Sequence, residues 1–380
     1  MQTLTQEQKN FISILKDFLS ENDSAISSSI DWHKLKKYVD HHQVAAIFYE
    51  QTKQKIFQEA YAYQLYRYVN FEQAIKNFKE ALKPYDFVMV KGTVVAELYL
   101  VPELRSMGDV DALIHTNDFE NVHMALTNAG FALQKGSSLG EWVYSKNGYL
   151  FEVHDTLVHR YEGKEKLVEY FSHVWDYVED GRLSWSFHLI YLLEHLRQHF
   201  VGSGVGFRQF MDVAIVCKKC DIDWEFVSEE LKKIDLYDFT ATVFAFIERW
   251  FGISVPFETA EISEGFYVRA TCKIFEDGVF GFDNEENRET EVSFQMHYKG
   301  LDYKTAKKQY LIRKVFPKYE SMCKLPYCAY VKKSVLLLPI AWVHRIVYRA
   351  FNKQSRKNMK AQLSQEKIEA RMNMLKEWGL

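Results

Sequence analysis

The chain is poor in cysteine, has no long apolar run and carries little net charge, and each shortage removes a class of protein from consideration. Five cysteines in 380 residues, an odd number, cannot build the dense disulfide framework of a small secreted domain. Cys217 and Cys220 form a CxxC pair, with Cys323 and Cys328 far downstream, and the spacing reads as two neighbours one turn apart on an amphipathic helix rather than half of a zinc site. The longest apolar run, residues 335–343, is too short to span a bilayer. The first ten residues, MQTLTQEQKN, offer neither the basic start nor the apolar core of a signal peptide. These shortages predict a soluble, reduced, cytoplasmic protein without a transmembrane segment. A net charge of −3 gives no global reason to expect a nucleic-acid binder. There is no P-loop, dinucleotide fingerprint or serine elbow, and HLRQH at 195–199 is not the HExxH of a zinc protease. No internal repeat or low-complexity tract is present.

What the chain does have is apolar bulk: 47% of its residues are hydrophobic and 16% aromatic, enough for a large core across two or three domains. The pattern predicts an α+β protein, with a small mixed β-sheet core flanked by N-terminal and C-terminal helical regions. Residues 1–83 read as helices, with Thr5 and Gln8 at capping-box spacing and Asp31 capping a second helix. An aromatic stripe over residues 57–82 reads as core packing. Residues 84–160 read as the sheet core. FVMV at 87–90 is a buried strand leading into Lys91-Gly92-Thr93 and an apolar helix over 94–100, and DVDALI at 109–114 is a second strand. Thr116 or Asn117 is expected to cap the next helix. Strands at 141–146 and 149–154 flank Asn147-Gly148, a strong hairpin signal. Residues 161–255 read as a helical domain closing a cleft, and 256–380 as an irregular acidic connection followed by basic helices. From Leu301 onward 18 lysines and arginines face 5 acidic residues. Lys353, Arg356, Lys357 and Lys360 read as a solvated helix face, with nucleic-acid or anionic-membrane contact as the alternative.

The chemistry concentrates in the sheet. Asp109 and Asp111 are two apart on a strand, so both side chains leave one face and repel each other unless a cation lies between them. Magnesium takes such hard oxygen ligands and keeps positions for water and phosphate. The hairpin puts Glu152 on the same strand face as Leu150 and His154, so pairing beside the aspartate strand would make Glu152 a third carboxylate. Gly92 and Thr93 lie where a strand gives way to a helix, where backbone N–H groups can hold phosphate. Lys91 and Arg105 could add positive charge for a triphosphate. His195 and His199 share a helix face, with Arg208 and Asp212 in the next helix. Together with His154 they are candidates for the cleft wall, against the plainer reading of a polar set joining two helices.

The series KGT (91–93), LRSMGDVDALI (104–114) and FEVHDTL (151–157) resembles the polymerase-beta nucleotidyltransferase superfamily, and more closely the bacterial family of uncharacterised nucleotidyltransferases. The likeness extends through HLRQHF and FRQFMDVAIV (195–216), GVFG (278–281) and the stretch from FPKYE to LLLP (316–339). The resemblance implies that Gly92 and Thr93 belong to the nucleotide loop, Thr93 standing where Gly or Ser is common. It implies that Asp109 and Asp111 are the metal pair and Glu152 the third carboxylate, holding two Mg2+ ions, with Mn2+ as a substitute. The implied reaction moves a nucleoside monophosphate from a nucleoside triphosphate to an acceptor hydroxyl, on a small molecule first, with a protein or RNA acceptor or a non-catalytic scaffold as alternatives.

Overall fold

The computed structural model describes residues 3–26, 30–116, 118–135, 140–160, 164–202, 204–279, 287–323, 325–351 and 363–380. Residues 1–281 with 377–380 form one compact unit, and residues 282–376 a second. The architecture is α+β, as expected. Five strands, β1 (Phe87–Val90), β2 (Asp109–Ile114), β3 (Ala132–Lys135), β4 (Glu141–Lys146) and β5 (Tyr149–His154), form a mixed sheet in the order β1-β2-β5-β4-β3. Only β2 and β5 run parallel. Asn147 (φ 54°) and Gly148 (φ 80°) make the two-residue turn between β4 and β5, the left-handed pair that matches strand twist.

Alternation along the strands separates core from site. Val110, Ala112, Ile114, Phe151 and Val153 point to one face, where they pack with Phe71, Phe78 and Leu82 of the helix Gln58–Leu82 and with Val122 and Leu126 of the helix Phe119–Asn128. The intervening Asp109, Asp111, Glu152 and His154 take the other face. Opposite that face run the helices Trp185–Gly202 and Phe207–Lys219, each with most of its residues buried. At the N-terminus, Thr5 and Gln8 form the expected capping box and Asp31 caps Trp32–His41.

Several expectations are corrected. The aromatic stripe is only half core: Phe71 and Phe78 are buried, while Tyr63 and Tyr66, on the outward face nearer the helix start, are exposed. The helix after β1 spans only Gly92–Ala96 and relaxes into i→i+3 turns at Leu98 and Tyr99 ahead of Pro102. Asp118, not Thr116, caps Phe119–Asn128 by accepting from the Asn121 N–H, whereas the Thr116 hydroxyl accepts from Asp118; Asn117 lies outside the described residues. The stretch read as irregular contains a helix, Glu264–Asp277, capped by Ser263 and burying Phe266, Ala270, Ile274 and Phe275. Its acidic residues cluster at both ends and hid the apolar period. Lys353, Arg356, Lys357, Lys360 and the second half of GVFG lie outside the described residues.

Candidate active site

The register of the sheet builds the site. Asp111 stands directly beside Glu152 across the parallel β2–β5 pair, and Leu113 beside His154. On the other side Val90 opposes Asp111, so Lys91, the next residue, leaves β1 at the same level. Its Nζ reaches Asp111 Oδ1 at 2.6 Å, and His154 Nε2 reaches the same oxygen at 3.0 Å. His154 Nε2 also lies 3.6 Å from Glu152 Oε2. Donor atoms of Asp111, Glu152 and His154 all fall within 4.8 Å of one another, a spacing one metal ion can bridge. Asp109 stands outside that trio, at the head of β2, lining the same cleft.

Electrostatics set the two aspartates apart. Burial works against the charge of Asp111, but Lys91 and then His154 hold its carboxyl well below the usual range. Asp109 has no such partner. Its enclosure in the cleft and the neighbouring Asp111 push it up to about 6, with Lys91 opposing and Glu152 adding to the rise. Burial likewise disfavours a charged Lys91, yet Asp111, Tyr191, Glu152 and Asp109 together raise it well above its ordinary value. His154 is also raised, because hydrogen bonds to Asp111 and Glu152 outweigh its burial.

These groups line a cavity of about 480 Å³, a size that accommodates a small organic ligand. Of the residues expected at the site, all but Thr93 line it. The Thr93 hydroxyl is buried without a hydrogen-bond partner among the described residues. Gly92 is tightly covered: an added Cβ would lie 2.7 Å from Arg105 Nη1, so the guanidinium rests on the bare backbone. Arg105 also makes a two-pronged pair with Asp212, Nε to Oδ1 at 2.8 Å and Nη2 to Oδ2 at 2.7 Å. Arg208 lines the cavity while donating to the Ser106 carbonyl and hydroxyl, both at 3.0 Å. His195 and His199 face each other, Nε2 to Nε2, at 3.1 Å, which requires one ring to donate and the other to accept through an unprotonated nitrogen. Burial lowers both, His199 to about 4.

Three further residues escaped the sequence. His188 Nε2 accepts the Lys91 backbone N–H at 3.1 Å, and burial keeps the imidazole neutral down to about 4. That bond steadies Lys91, whose φ of 55° is one that side-chain-bearing residues rarely adopt. The Tyr99 hydroxyl donates to Asp212 at 2.9 Å, completing the seat of Arg105. Tyr191 also lines the cavity. A signal existed for two of these: His188, Tyr191, His195 and His199 recur at helical spacing along one face.

No curated protein and no solved structure matches the chain. The family described as uncharacterised nucleotidyltransferase matches residues 28–252, more than half of the 380. That span holds the entire five-stranded sheet, its carboxylates and the cations around them, so the chain belongs to the uncharacterised nucleotidyltransferase family and is a transferase of nucleotidyl groups.

Proposed function

We propose that the enzyme transfers a nucleoside monophosphate from a nucleoside triphosphate to a hydroxyl of a small-molecule acceptor, releasing pyrophosphate with the help of Mg2+. The observation that carries this reading is the in-register pairing of Asp111 with Glu152 on the floor of the cavity, with Asp109 two residues along the same strand face. The donor set suits a hard divalent cation: carboxylate oxygens predominate, and Asp111 and Glu152 crowd Asp109 with like charge. Asp109, Asp111 and Glu152 would hold the metal, with the His154 nitrogen steering Asp111. Bound Mg2+ supplies charge neutralisation at the phosphates and eases deprotonation of the acceptor.

The protein's own contribution is positioning and charge. Lys91, Arg105 and Arg208 line the cavity with the carboxylates and bring positive charge that favours a triphosphate. The missing side chain at Gly92 lets the Arg105 guanidinium sit on the backbone at the cavity wall, as a positive charge for a phosphate oxygen. In this reading Glu152, which is only half-buried, takes the proton of the attacking hydroxyl. The test is pyrophosphate release from each nucleoside triphosphate with a panel of hydroxylated small molecules. Activity is expected with Mg2+, none after chelation, and none in Asp109→Asn. Full activity in Asp109→Asn would remove this site from the reaction.

A further inference from the structure

The second unit carries a surface that the transfer reaction does not use. Of the twenty large apolar side chains exposed among the described residues, twelve fall between Leu311 and Phe351. Most of them belong to one short stretch. The helix Leu338–Phe351 has two apolar faces. The inner one, through Ala341 and Trp342, packs on Met322, Cys328 and Val331. The outer one presents Ile340, Val343, Ile346, Val347 and Phe351, continued by Leu336 in the preceding turn. Leu336 is 83% exposed, Val343 62% and Phe351 78%, values that mark a face left open among the described residues of its unit. The end of the neighbouring helix Tyr303–Val315 packs on the inner side of this helix: Phe316 rests against Trp342 at 5.2 Å between ring centres, and Arg345 donates to the Lys314 carbonyl at 2.8 Å.

Charge selects the occupant. Between residues 303 and 351 the sequence carries eleven lysines and arginines against one acidic residue, Glu320. On this helix neither cation joins the outer apolar stripe: Arg345 turns inward and is buried, and Arg349 is half-buried. We propose that this face docks on an anionic phospholipid bilayer, the aliphatic stripe entering the acyl boundary and the rim of cations meeting the headgroups. A second copy fits poorly, because two surfaces so strongly basic repel. An RNA strand fits poorly too, since it stacks bases on aromatic rings set among cations, and the outward residues here are mainly aliphatic. The helix has 14 residues, about 21 Å of rise, against the roughly 30 Å of a hydrocarbon core, so it lies on the bilayer and does not cross it.

The experiment is vesicle flotation of the full-length protein. Vesicles of equal parts phosphatidylglycerol and phosphatidylcholine are expected to bind it at least ~10-fold better than phosphatidylcholine alone, and the difference should shrink in high salt. The exposed double variant Val343→Glu/Val347→Glu should lose binding by ~10-fold or more with an unchanged melting temperature. Lys332→Glu/Lys333→Glu should lose the preference for phosphatidylglycerol. Equal binding to both vesicle types would overturn the proposal, as would an unaffected Val343→Glu/Val347→Glu protein. So would a wild-type dimer in sedimentation that this double variant splits while vesicles bind neither, or binding confined to a homopolymeric RNA.

Discussion

At the scale of single residues, the two aspartates of β2 are chemically alike and structurally unequal. Asp111 is buried and answers both Lys91 and His154, so Asp111→Asn should weaken folding by about 3 kcal/mol, the lower end of what breaking a buried ion pair costs. Asp109 has no such bond to lose, and Asp109→Asn should unfold at the wild-type denaturant concentration or slightly above it. Denaturant titrations of the two variants side by side read this difference. Glu152→Gln is expected to keep most nucleotide affinity while slowing the chemical step by ~10²-fold, the usual scale for a positioned base; a normal rate would leave Glu152 as a ligand at most. Histidine gives a separate handle. His42 is packed among Phe11, Phe207 and Phe275, and burial, with His41 adding, holds it down to about 3 from an ordinary 6.5. Between those values the unfolded chain binds a proton that the folded one refuses. Stability therefore rises with pH across the window and is lost on acidification, at about 1.4 kcal/mol per pH unit for this one group. Unfolding free energies measured at pH 4.5 to 6.5 should show a shallower slope in His42→Phe, and an identical slope would mean that His42 charges within the fold.

At the scale of elements, the site joins pieces whose local signals differed in strength. The strands at 87–90, 109–114, 141–146 and 149–154 were legible because alternation and the Asn-Gly turn are written into consecutive residues. β3 was not: its Ala132, Leu133 and Gln134 are all exposed on a sheet edge, so burial left no alternation to read. The faces of β2 and β5 followed from their period, but that Glu152 pairs with Asp111 depends on which strand the hairpin joins, and no local pattern states that. The same holds for His188 under Lys91 and for Tyr99 on Asp212, contacts between segments about a hundred residues apart. Arg208 tests how far such links are shared between structure and chemistry. It ties the helix Phe207–Lys219 to the Ser106 carbonyl just ahead of β2, and to Gln43 Oε1 at 3.3 Å. Arg208→Ala should lower the melting temperature by several degrees, on the basis of ~1–2 kcal/mol for charged hydrogen bonds lost. Binding isotherms on the folded protein then decide whether nucleotide affinity falls as well; a fall in affinity without loss of stability would make Arg208 a ligand-binding group alone.

At the scale of the whole molecule, the chain leaves its first unit near residue 281 and returns to it for the last four residues. Trp378 enters that unit completely, among Phe200, Phe239, Phe246 and Phe266. Trp378→Ala should cost about 3–5 kcal/mol, the range for truncating a buried large aromatic; a loss below ~1 kcal/mol would show that the ring is not packed there. Composition gave no hint of this return, because a single tryptophan after a charged helix looks like a frayed end. The sheet order carries one more consequence, for how the molecule assembles. The β4–β5 hairpin closes on local information in its turn, whereas its lodging beside β2 joins distant segments and is the slower event. Activity in a refolding experiment should therefore lag behind secondary structure. Any ligand of the carboxylates will hold the lodged form and ignore the others, since only that form offers Asp111 and Glu152 together. A chain whose hairpin has closed but not yet docked has every acidic side chain it needs and nowhere to use them.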